Sequence, residues 1–93
     1  MNVLSETFRI NADAIAQEVG GELIVLDMAT ERYLSVDQVG RRIWGLLEEG
    51  RTLSNVVDEL TSLYSVDRAR IEHDVAEFVQ RLEELGLGRT SSK

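Results

Sequence analysis

The chain has no cysteine and no proline. The first absence excludes disulfides and thiolate metal sites; the second leaves glycine as the main punctuation. Aromatic residues make up 5% of the chain, as Phe8, Tyr33, Trp44, Tyr64 and Phe78, so the core must be built mainly from Leu, Ile and Val. Positive charge is scarce: ten Lys and Arg stand against seventeen Asp and Glu, a net charge of −7 and a pI near 4.6. That balance argues strongly against general nucleic-acid binding, where phosphates demand a positive field, and it disfavours an anionic membrane surface. No apolar run approaches the roughly 20 residues of a membrane-spanning helix. Met1 to Ile10 carries Glu6 and Arg9 and no apolar h-region, unlike a signal peptide. A cytoplasmic location is therefore expected.

Catalytic equipment is equally sparse. His73 is the lone histidine and stands between Glu72 and Asp74; His73, Asp74 and Glu77 on one helix face make an incomplete metal set. Ser35, Ser54, Ser62 and Ser65 lie in no nucleophile elbow. Gly20-Gly21 is followed by no helix, so it reads as a turn rather than a phosphate cradle. Glu48-Glu49 and Glu83-Glu84 are neighbours on helices; such residues point about 100° apart, which reads as solvated charge rather than an acid–base pair. No cofactor and no catalytic residue is expected. Ninety-three residues make one domain with a modest core.

The first third of the chain reads as β structure. Ile15 to Val19 and Glu22 to Met28 flank Gly20-Gly21, a hairpin signal because both glycines can take positive φ. The continuous apolar run Leu23 to Leu26 suggests a central strand. Ala29-Thr30 turns the chain into a third strand over Glu31 to Ser35, with Tyr33 on one face and Arg32 and Leu34 on the other. Phe8 to Ile10 is a candidate for a further short strand.

Three helices follow. Ser35 and Gln38 have capping-box spacing, and Val36, Val39, Ile43, Leu46 and Leu47 recur at helical spacing up to Gly50. Trp44 falls beside this stripe and is expected in the core. Thr52 starts the second helix, with Leu53, Val56, Val57, Leu60 and Tyr64 as its stripe. Asp67 caps the third, where Val66 and Ile71 have the spacing of a hydrophobic staple. Its stripe is Ile71, Val75, Phe78, Val79, Leu82 and Leu85, and Gly86 fits a C′ position. Arg89 to Lys93 reads as a frayed tail after a domain of residues 1–88.

This order gives an α+β fold, a three-stranded antiparallel sheet followed by three helices that cover one of its faces. The strand around Tyr33 is then an edge. An open edge offers a ladder of unpaired N–H and C=O groups to an added peptide strand. The charge at its start is equally consistent with a device against aggregation. A DNA-binding winged helix is the alternative, since three helices after a small sheet can hold a helix-turn-helix. It would need basic helices: the second carries Asp58 and Glu59 and no Lys or Arg, and the third carries Arg68, Arg70 and Arg81 against Glu72, Asp74, Glu77, Glu83 and Glu84.

Three stretches resemble the PqqD-like family of peptide-binding domains, the recognition elements of ribosomally made, post-translationally modified peptides. The first joins Leu26-Asp27 to Tyr33-Leu34-Ser35, Gly40, Ile43-Trp44 and Leu46-Leu47. The second joins Gly50 and Thr52 to Val56-Val57, Leu60 and Tyr64; the third joins Asp74-Val75 to Phe78-Val79, Leu82 and Leu85-Gly86-Leu87. Within the family, the run Ala16 to Glu22 and the pair Ile43-Trp44 are most similar to the stand-alone leader-binding proteins of lasso-peptide pathways. The resemblance implies a winged helix-turn-helix-like fold. It also implies binding of a precursor's leader peptide as an added strand between the third strand and the third helix, with a leader peptidase as companion. Carried onto this chain, Glu31, Arg32, Tyr33, Leu34 and Ser35 would supply the ladder. Tyr33 or Leu34 would line a pocket with Ile71, Val75, Phe78 and Leu82, and Asp67, Arg70 and Asp74 would form its polar rim. The acidic excess on the third helix would steer a leader with basic residues.

Overall fold

The computed structural model describes residues 5–91. Met1 to Leu4, part of the stretch read as unlike a signal peptide, and Ser92 and Lys93 of the expected tail lie outside the described residues. The elements run β1 (Thr7–Ile10), β2 (Ala14–Val19), β3 (Glu22–Asp27), β4 (Tyr33–Val36), α1 (Gln38–Glu48), α2 (Leu53–Leu63), α3 (Arg68–Glu84) and β5 (Gly88–Ser91).

β2, β3 and β4 form an antiparallel sheet with β3 in the middle. Gly20 and Gly21 join β2 to β3 with φ of +58° and +86°, a pair of values that suits the right-handed twist of a hairpin. The register sets Leu34 beside Val25 and Val36 beside Leu23, so these four share the inner face. Val25 is fully buried there, and Leu23 and Val36 nearly so. Tyr33 and Ser35 alternate to the outer face, where Ile15 and Val19 are exposed too.

The sheet is not alone. The chain ends were expected to contribute a further short strand over Phe8 to Ile10 and a frayed tail. Instead, β1 pairs with β5 in a separate two-stranded ribbon, Phe8 opposite Thr90 and Arg9 opposite Arg89. The residues from Arg89 to Ser91 are thus held, not frayed. Glu83 fixes them to α3, its carboxylate accepting from the Thr90 N–H (2.9 Å) and hydroxyl (3.1 Å). Gly88 is required: a Cβ there would lie 2.4 Å from the Phe8 ring and 2.5 Å from the Arg9 carbonyl oxygen. The ribbon also anchors α2, since the Leu53 N–H, an orphan donor of the first turn, bonds the Glu6 carbonyl at 2.8 Å.

The three helices arise where the apolar stripes place them, and each turns its stripe inward. α1 buries Ile43, Trp44 and Leu47; α2 buries Leu53, Val56, Val57 and Leu60; α3 buries Ile71, Val75, Val79 and Leu82. Two cap readings differ. Thr52 caps α2 as expected, accepting from the Asn55 N–H. The cap of α1, however, is Asp37, whose carboxylate accepts from the Gly40 N–H at 2.8 Å. Ser35 lies inside β4, and its hydroxyl donates to Glu22 at 3.1 Å. Strand pairing with β3 holds Ser35 in extended conformation and moves the helix start two residues on. α3 begins after Asp67, but no side-chain cap bond forms there. It ends in a Schellman motif: Leu87 N–H bonds the Leu82 carbonyl, Gly86 N–H bonds that of Glu83, and Gly86 has φ of +74°. This turn drives Leu87 into the core with no exposure.

Candidate functional site

Among the described residues, β4 pairs with β3 on one side only. Its other edge borders a groove of about 540 Å³, a volume in the range of ligand sites. β4 and the start of α1 supply one wall, with Leu34, Ser35, Val36, Asp37, Val39, Gly40 and Ile43; α3 supplies the other, with Arg70, Asp74, Glu77, Phe78 and Arg81.

The floor is apolar and depends on a missing atom. A Cβ on Gly40 would sit 2.6 Å from Val36 Cγ1 and 3.1 Å from Phe78 Cε1. The glycine therefore lets the Phe78 ring and Val36 close against α1. Phe78 itself is half-buried, so it belongs both to the core boundary and to the groove.

The twelve residues expected at the site divide cleanly. Leu34, Ser35, Arg70, Asp74 and Phe78 line the groove. Ser35 offers its backbone, because its side chain is turned away to Glu22. Tyr33 points to the other sheet face and is 63% exposed, so Leu34 is the residue of that pair that meets the groove. Ile71, Val75 and Leu82 face the core, with at most 4% exposure, and do not line the groove. Asp67 stands at the α3 N-terminus outside the lining. Glu31 and Arg32 precede β4. Glu31 has φ of +64° in the turn, and an Arg32 guanidinium N–H donates to the Glu84 carbonyl at 3.4 Å.

Val36, Asp37, Val39, Gly40, Ile43, Glu77 and Arg81 complete the lining and were missed. For Glu77 and Arg81 a signal existed, since they fall three and seven residues after Asp74 and so share its face of a helix. For Asp37 to Gly40 the signal was obscured by the competing capping box at Ser35.

Of the groove's charges on α3, Arg70, Glu77 and Arg81 are exposed and Asp74 is half-buried, and they are largely unengaged. Among the described residues, Arg70, Asp74 and Arg81 take part in no ion pair, and Glu77 has only His73 at 4.0 Å. Arg68, two positions before Arg70, contrasts with them. Its hydrogen bond to Asp58, reinforced by Glu72, raises its pKa above the ordinary guanidinium value. No group of His, Cys, Asp or Glu suited to a metal occurs among the described residues, and His73 is exposed. Nor, among them, is any helix long and apolar enough to cross a membrane. A second cavity, of about 490 Å³, lies beside Arg9, Asn11, Gly86 and Arg89, with Ile10 its one large apolar side chain and the paired β1–β5 ribbon beside it.

An open strand edge along a helix-walled, apolar-floored groove defines a class of small α+β domain. The chain belongs to the PqqD family: residues 22–87 match the family described as coenzyme PQQ synthesis protein D. It is similar to two PqqA binding proteins of Rhodopseudomonas palustris, from strains BisB5 and TIE-1, at 36% and 34% identity over 60 residues. The match takes in 64% of this chain and 59% of each relative, so the chain spans less than two thirds of the curated relatives it matches. Two solved structures share the fold. TbiB1 in complex with the TbiA(beta) leader peptide aligns with a TM-score of 0.81 at 33% identity, covering 91% of this chain and 99% of that one. Lasso peptide synthetase B1 complexed with the leader peptide aligns at 0.79 and 27% identity, covering 87% and 95%.

Proposed function

We propose that this protein binds the leader segment of a ribosomally made precursor peptide in the β4–α3 groove and presents it to a partner enzyme, as in lasso-peptide biosynthesis. The observation that carries this reading is the free edge of β4 alongside an apolar floor of Leu34, Val36 and Phe78. An extended peptide there gains backbone hydrogen bonds from β4, and its alternate side chains reach the floor. Both structural relatives are leader-peptide complexes, which supports the same ligand class here. The protein acts by binding rather than catalysis, and the chemistry falls to the partner, a leader peptidase in this reading.

Calorimetry with the TbiA(beta) leader peptide, and with precursor peptides encoded near this gene, tests the reading. Saturable binding is expected, and it is lost in Phe78→Asp. A proline at position 33 or 35, whose N–H groups point away from β3 in this register, weakens binding by removing an open-edge backbone donor in a variant still folded by circular dichroism. Full affinity in both proline variants would exclude strand addition to β4. Absence of binding to every such peptide by folded protein would sink the leader reading itself.

A further inference from the structure

Four charged residues of α3 line the groove in a row: Arg70, Asp74, Glu77 and Arg81. They are separated by four, three and four positions, hence by about 6, 4.5 and 6 Å along the helix axis. Both Arg–acid neighbours have the i, i+4 spacing that commonly forms an ion pair, yet neither pair closes. Arg70 is also badly placed for its own helix. It sits in the first turn of α3, which contains no acid, where the helix dipole disfavours a cation. Arg68 in the same turn is compensated by Asp58 and Glu72; Arg70 is not. A charge that the fold leaves uncompensated, aimed at a groove, is best accounted for by what enters the groove.

We propose that this row reads a charge pattern in the bound peptide, an inference that rests on the groove's being the peptide site. A peptide strand presents every second residue to α3, about 6.8 Å apart, so three successive helix-facing residues span about 14 Å. The four helix charges span about 16 Å. A strand filling the groove therefore places its outer two helix-facing residues near Arg70 and Arg81 and the middle one between Asp74 and Glu77. The matching peptide carries acid, base and acid at alternate positions, each of these side chains laying its aliphatic stem on the apolar floor and its charge against α3. The row reads the same in both directions, plus-minus-minus-plus, so the preference holds whichever way the peptide runs. It also replaces a general attraction for basic leaders: the α3 wall holds two cations and two anions, and what it selects is their order.

The test is a selection from random twelve-residue peptides by mRNA display, on the wild-type chain and on Arg70→Glu/Asp74→Arg/Glu77→Arg/Arg81→Glu. All four positions are on the helix surface, and Arg70→Gln/Arg81→Gln serves as the milder variant if the fourfold exchange does not fold. Phe78→Asp identifies which enriched peptides occupy the groove. Wild type is expected to enrich acid-x-base-x-acid and the reversed variant base-x-acid-x-base; in the milder variant the flanking acids lose their enrichment. By fluorescence anisotropy, wild type should prefer a matched peptide over its charge-reversed twin by on the order of tenfold, a preference that shrinks in high salt. Groove-binding peptides with no charge order, or with the same order on wild type and variant, would overturn the inference and leave the peptide site standing. Enrichment of no peptide sensitive to Phe78→Asp would overturn both.

Discussion

α3 has two faces that follow different rules. Ile71, Val75, Val79 and Leu82 point inward with at most 4% exposure, and Val75 and Leu82 with none. Arg70, Asp74, Glu77 and Arg81 point into the groove, with Phe78 at the seam. The inward face satisfies the fold completely, since every one of its side chains is apolar and covered. The groove face satisfies it poorly: an arginine stands in the wrong turn, and neighbouring opposite charges stay apart. A helix that is consistent on one side and unresolved on the other fits the proposed division of α3 between stability and peptide recognition. Substitutions on the two faces should therefore separate the two properties.

The largest effect belongs to the inward face. Leu82→Ala leaves a cavity beneath α3 and should cost about 2–5 kcal/mol of stability. Peptide affinity, measured by calorimetry at a temperature where the variant is fully folded, should change little because Leu82 does not line the groove. A large affinity loss in folded Leu82→Ala would break the division between the faces.

Gly40→Ala probes the seam from the opposite wall. The new methyl meets Val36 at 2.6 Å and the Phe78 ring at 3.1 Å, so one of them must move into the groove. Such overpacking costs about 1–3 kcal/mol, and alanine's better helix propensity returns about 1 kcal/mol. Urea denaturation should show a modest loss of stability, and calorimetry a proportionally larger loss of affinity. Loss of stability alone would mean that the floor adjusts without reaching the peptide proposed to bind there.

The two faces were not equally legible in the sequence. The stripe of α3 is written in residue identities, since burial selects apolar side chains at helical spacing wherever the neighbours are. Thr52, Gly50 and Gly86 were readable for the same local reason. The groove is written in pairings between distant segments. Ser35 and Asp37 both fit a cap, and only the register that sets Ser35 beside Ile24 in the sheet decides between them. β5 is four polar or small residues whose strand exists because β1 is opposite and Gly88 admits Phe8. Ile71, Val75 and Leu82 were grouped with the groove residues because a stripe read from sequence does not say which side of it borders an opening; in the structure they face the core. The open edge of β4 was legible, since one continuous apolar strand implies a centre and therefore an edge beside it.

The smallest expected effect separates the faces most sharply, because it has a sign. Arg70→Gln removes a cation from the first turn of α3, where the exposed N–H groups carry partial positive charge. The arginine has no ion-pair partner to lose among the described residues, and glutamine is a comparable helix former. Stability should therefore rise, by about 0.3–1 kcal/mol at low ionic strength, and the gain should fade as salt screens the dipole. Affinity for an acid-bearing peptide should fall in the same variant, by about two- to fivefold. Thermal melts at two salt concentrations and calorimetry on the same preparation read both quantities. Opposite signs would show that Arg70 is held in place by recognition at the expense of the helix. A loss of stability would mean instead that Arg70 contributes packing to the fold, and the groove face of α3 would then be less distinct from its core face than the structure suggests.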